Sequence, residues 1–60
     1  MKGANVMLFN VTLFNTGSFE EAAVAVELGM SLTKNGNFRG WISKEAMEQF
    51  DRKGFFYRVW

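Results

Sequence analysis

The sequence predicts an α+β fold: a small sheet carrying two helices on one of its faces. Three observations predict it. Apolar residues alternate along residues 5–15 with the period of a strand. Two segments open on Ser18 and Ser43 and repeat their apolar residues at helical spacing. Between those segments stands Asn35-Gly36, the dipeptide most often found in a two-residue hairpin turn.

In the first strand, Met7, Phe9, Val11 and Leu13 share one face, which is wholly apolar. Val6, Leu8, Asn10, Thr12 and Phe14 share the other, which is mixed. Asn15-Thr16-Gly17 breaks the run. Ser18 followed by Glu21 has the spacing of a capping box, and Glu20 and Glu21 suit the positive end of a helix dipole. Phe19, Ala22, Ala23 and Val26, with Met30 beyond them, form the stripe expected to face the core. Val24 and Leu28 fall off that stripe, where they either pack on the neighbouring helix or offer a partner contact.

Gly29 is placed to end this helix. Residues 30–34 then form a short strand, Asn35-Gly36 a type I′ turn, and residues 37–42 the returning strand. In the alternative reading the helix continues to about Leu32 and the hairpin is lost. Ser43 caps the second helix over residues 44–53, with Ala46, Met47 and Phe50 inward and Gly54 just past its end. Arg52 and Lys53 suit the negative end of that helix. Residues 55–60 form a last strand. The order is therefore β-α-β-β-α-β, the split βαβ or ferredoxin-like arrangement, favoured over a three-stranded β-α-β-α-β. Phe9, Val26 and Phe50 are expected in one core cluster.

Sixty residues make one small domain. Such a chain buries only ~60% of its unfolded surface, so large side chains or association must supply stability. Seven Phe, two Trp and one Tyr provide the first. With no Cys, disulfides, thiolate metal sites and cysteine nucleophiles are excluded. The lack of His removes the commonest general base and the commonest metal ligand. The pair Glu45 and Glu48 lies one helical turn apart, but on a solvated helix face. No acid cluster has the spacing of an oxygen-ligand metal site, and Gly36 to Gly40 lacks the Lys-Ser/Thr of a phosphate loop. No catalytic residue, cofactor, metal or small-molecule substrate is therefore expected. No apolar run reaches a membrane span and no signal-peptide core follows Met1-Lys2, so a cytoplasmic protein with no membrane role is expected.

Net charge is +1 but uneven. Residues 1–33 carry Lys2 against Glu20, Glu21 and Glu27; residues 34–60 carry six bases against three acids. A strongly acidic nucleic-acid mimic and a strongly basic coat protein are both excluded. Two helices leave one sheet face uncovered, and that face is rich in large side chains. In the last strand, Phe56, Arg58 and Trp60 alternate with Phe55, Tyr57 and Val59; in the returning strand, Arg39 and Trp41 alternate with Phe38, Gly40 and Ile42. Such a surface marks a contact site, though rings wrapping the edge of a small core give the same pattern.

The stretch Lys53-Gly54-Phe55-Phe56-Tyr57-Arg58-Val59-Trp60 is similar to the RNP1 octapeptide of RNA-recognition motifs. Lys53, Gly54 and Phe55 match; Tyr57 and Trp60 match as aromatics; and Leu8-Phe9 resembles the companion RNP2 motif. Phe56 stands where that motif has a small residue and Arg58 where it has Val, and the stretch falls on the last strand instead of the third. The resemblance covers eight residues.

The function expected is that of a non-enzymatic protein-interaction module. It self-associates or docks on a larger protein as a small inhibitor or antitoxin-like regulator, of the kind phages and mobile elements encode. Its expected contacts are Arg39, Trp41, Phe56, Tyr57, Arg58 and Trp60. The alternative is a single-stranded RNA- or DNA-binding module using Lys53, Tyr57, Arg58 and Trp60, with Arg39 and Trp41 beside them.

Overall fold

A computed structural model describes residues 7–60. Asn5 and Val6, at the start of the expected first strand, lie outside the described residues. The elements run β1 (Leu8–Leu13), α1 (Phe19–Glu27), β2 (Ser31–Leu32), β3 (Phe38–Ser43), α2 (Lys44–Lys53) and β4 (Tyr57–Val59). The four strands form one antiparallel sheet in the order β2-β3-β1-β4. The chain thus has the α+β, β-α-β-β-α-β arrangement its sequence predicts, and the three-stranded alternative is excluded.

The strand alternation places the core. Val11 and Leu13 of β1 and Phe38 and Ile42 of β3 point to the helix side, where Ala25 of α1 and Ala46 and Phe50 of α2 meet them. Met30 closes this cluster, and Phe9, Met47 and Phe55 pack on its edge. The Phe50 ring is fully buried, with the rings of Tyr57 and Phe55 at 5.5 and 6.0 Å between centroids. Both helix ends follow local chemistry. Ser43 Oγ accepts the Ala46 N–H at the start of α2, and Gly54 takes the left-handed conformation at its end (φ +74°).

Helix α1 is rotated from the expected orientation. Val26 is 74% exposed and Phe19 89%, so neither belongs to the core stripe. The inward side is Glu21 and Ala25, with Ala22, Val24 and Leu28 packed against the core. The reason lies at the N-terminus. The Glu21 carboxylate accepts hydrogen bonds from the Thr16 N–H (2.8 Å), the Thr16 hydroxyl (2.7 Å) and the Ser18 N–H (3.3 Å). A carboxylate so satisfied can be buried, and it draws its own helix face inward. Val26 accordingly leaves the expected Phe9–Val26–Phe50 cluster. Val24 and Leu28, for which the sequence left packing or a partner contact open, pack against the core.

The hairpin also differs in detail from a type I′ turn. That turn needs positive φ at both Asn35 and Gly36, and among the described residues only glycines have positive φ. Gly36 N–H donates to Thr33 O (3.0 Å) and Thr33 N–H to Asn37 O (2.7 Å), with Gly36 at φ +83°. This is a wider loop through Lys34, Asn35 and Gly36, with glycine at the left-handed position that a side chain would strain. The extended stretch expected over residues 30–34 is correspondingly limited to Ser31–Leu32. Asn15 ties the loop to the end of β1: its amide donates to Gly36 O (3.0 Å) and its N–H to Asn37 Oδ1 (3.1 Å).

Candidate functional site: the open face of the sheet

With both helices on one side, the other side of the sheet is open. Strand register decides which side chains meet there. Asn10 stands opposite Trp41, and Thr12 lies between Arg39 on β3 and Arg58 on β4. Trp60 N–H donates to Asn10 O (2.8 Å), which continues the β1–β4 ladder and sets Trp60 beside Asn10. Phe14 N–H donates to Phe56 O (2.9 Å) in the same way at the other end. The face therefore reads as rows across the strands: Trp41–Asn10–Trp60, then Arg39–Thr12–Arg58, then Phe14–Phe56. Successive rows are ~6.8 Å apart along β1.

Trp60 is the centre of this surface. Its indole N–H donates to Thr12 Oγ1 at 2.7 Å, so the ring lies over β1. The guanidinium carbon of Arg58 is 4.1 Å from the ring centroid and that of Arg39 is 4.9 Å. Arg39 Nε also donates to Asn10 Oδ1 at 3.1 Å. Trp60 nevertheless remains 57% exposed and Trp41 63%. Two shallow depressions flank Arg39. One is bounded by Asn10, Ser31, Thr33 and Trp41, the other by Thr12, Phe14, Asn35, Arg58 and Trp60.

Charge is segregated between the two sides. All six acidic side chains of the chain lie in helices: Glu20, Glu21 and Glu27 in α1, and Glu45, Glu48 and Asp51 in α2. Among the described residues the open face carries Arg39 and Arg58 and no acidic side chain. Among the described residues the one ion pair joins Lys53 Nζ to Glu20 Oε2 (2.7 Å) on the helix side.

The residues expected to act together are thus divided. Arg39, Trp41, Arg58 and Trp60 meet on the open face, with Phe56 at its end and 67% exposed. Tyr57 points to the helix side, where its hydroxyl donates to Asp51 Oδ1 at 2.9 Å. That hydrogen bond, with burial and the Asp51 charge, raises the Tyr57 pKa above 10.0. Lys53 also sits away from the open face, paired with Glu20. Asn10 and Thr12 were not singled out by sequence, yet they hold Arg39 and Trp60 in place. Their signal was present in the alternation of β1, which puts polar Asn10 and Thr12 on its mixed face.

Among the described residues no helix is long and apolar enough to cross a membrane, and no three acids gather as a metal site would require. Compared with protein-family models, curated proteins and solved structures, the chain gives no match to any.

Proposed function

We propose that this chain is a non-catalytic binding module, acting in the cytoplasm, whose contact surface is the open face of its sheet. The observation that carries the reading is the pairing of Arg39 and Arg58 against one exposed tryptophan, on a face without acidic side chains among the described residues. Two like charges held beside one ring repel each other, and an anionic partner relieves that repulsion while stacking on exposed indoles. Trp and Arg are also the side chains that most often dominate binding energy at interfaces. Self-association through this face is disfavoured. A two-fold contact would set a second pair of arginines against the first with no acidic side chain of the face to balance them. The partner is therefore a different molecule with negative charge. A small regulator covering an acidic site on a larger protein fits this description, and so does a binder of nucleic-acid strands.

The test compares two tagged baits in cell lysate, the unaltered chain and a Trp41→Ala/Arg58→Glu double variant. Both side chains are exposed, so the variant should keep the wild-type thermal melt. Partners retained by the wild type and lost by the variant support the open face as the contact surface. Identical retention by both baits, or none by either, refutes it.

A further inference from the structure

Resting on the open-face reading above, we infer that the anionic partner is a single-stranded nucleic acid. Its bases stack on Trp41 and Trp60, and its phosphates are held by Arg39 and Arg58. The arrangement of rings and charges favours a strand over an acidic protein. The rings here stand in separate rows: Asn10 separates Trp41 from Trp60, with Leu8 beyond that row, and Thr12 with the two arginines separates the tryptophan row from Phe14 and Phe56. A protein hot spot needs a fully desolvated apolar centre, ringed by contacts that exclude water. Isolated rings bordered by cations instead match a ligand in which flat bases alternate with phosphates.

The polar groups fit the same ligand. Both depressions share Arg39, so phosphate held there leaves room for a nucleotide on either side. In the first, the Trp41 ring stands beside the Asn10 amide and the Ser31 and Thr33 hydroxyls, which can bond a base edge or sugar. Asn10 Oδ1 is already occupied by Arg39, so its amide faces a ligand as a donor. Both depressions open onto the sheet face, where an unpaired strand can lie across them. The stacking groups stand on a sheet face, and among the described residues both helices lie on its other side, so neither projects from it toward a duplex groove.

The experiment titrates the full chain into fluorescein-labelled twenty-nucleotide oligothymidine and oligouridine, read by anisotropy and by tryptophan quenching. Hairpin duplex DNA and polyglutamate serve as competitors. The inference expects saturable binding to single strands, with quenched indole emission. Two to three phosphate contacts predict a loss of about tenfold between about 50 and 200 mM salt. Trp41→Ala should weaken binding about tenfold, and Arg58→Gln should reduce the salt dependence. Retained quenching in Trp41→Ala reports Trp60 separately.

Absence of binding at low salt by the folded chain overturns the inference, as does an affinity unchanged by Trp41→Ala. Polyglutamate competing as well as oligonucleotide reduces the effect to charge alone and also overturns it. The two readings fail distinguishably. If oligonucleotides do not bind while the double-variant bait loses a protein partner from nuclease-treated lysate, the surface stands and the nucleic-acid assignment falls.

Discussion

Glu21 provides the sharpest test of the packing. The residue is 3% exposed, and its carboxylate accepts three hydrogen bonds from Thr16 and Ser18. Burial alone raises its pKa, but the Thr16 hydroxyl, the Thr16 N–H and the Ser18 N–H outweigh burial, and the pKa lies below 4.5. In Glu21→Gln the side chain keeps one acceptor oxygen for the Thr16 and Ser18 N–H groups, loses the oxygen that accepts the Thr16 hydroxyl, and loses the charge. Charge-assisted hydrogen bonds are worth ~1.5–3 kcal/mol and neutral ones ~1, and the helix dipole adds ~0.3–1. Desolvation of the carboxylate takes part of this back, leaving a net loss of ~1–2 kcal/mol. In a domain whose single core supplies only ~3–5 kcal/mol, that is a large share, equivalent to roughly 4–8 °C in Tm for each kcal/mol.

The loss must also depend on pH. A carboxyl whose folded pKa is depressed stabilises the fold above its unfolded pKa, and that contribution disappears as pH falls through the folded value. Wild type and Glu21→Gln should therefore differ most near neutral pH and converge as pH falls through the lowered folded pKa of Glu21. Circular-dichroism melts of both proteins across that range measure the difference directly. Equal stability near neutrality, or a gap that persists undiminished in strong acid, would refute the account of α1 given above.

Three further outcomes are expected. Val26→Lys should change stability by less than ~0.5 kcal/mol, because Val26 faces water, whereas Ala25→Leu should cost at least ~1–3 kcal/mol by overpacking a fully buried site; urea titrations of both test the helix rotation. Gly54→Val should destabilise by more than ~1 kcal/mol, since the position holds φ +74°, and thermal melts unchanged by it would contradict the assigned helix end. Ultraviolet titration should place the Tyr57 phenol above 10.0, and Asp51→Asn should lower it by removing the charged acceptor; no change in Asp51→Asn would remove the proposed cause.

What the sequence shows best is local. Ser43 and Gly54 bound α2 at the expected residues, Gly29 follows α1 with positive φ, and the alternation of β1 and β3 assigns each side chain to its face. These features depend on backbone geometry within a few residues, so neighbours in sequence suffice to encode them. The rotation of α1 was not legible. Hydropathy counts Glu21 as polar and Val26 as apolar, and only three hydrogen-bond donors converging on one carboxylate reverse their places. The turn at Asn35-Gly36 was half legible: the glycine was required, but whether Asn35 also takes positive φ depended on how β2 and β3 are joined.

The binding face divides in the same way. By itself the sequence determined that Arg39, Trp41, Arg58 and Trp60 share the uncovered side of a sheet, because side-chain direction follows from period two. The same alternation puts Tyr57 on the opposite face of the last strand; only the tertiary structure decided that Lys53 pairs with Glu20 away from them, and that Arg39 and Arg58, nineteen positions apart, converge on one indole. Their meeting rests on the order β3-β1-β4 and its register, which places Thr12 between them. Strand order is a property of long-range pairing, fixed when the shared hydrophobic core closes, and no local pattern carries it.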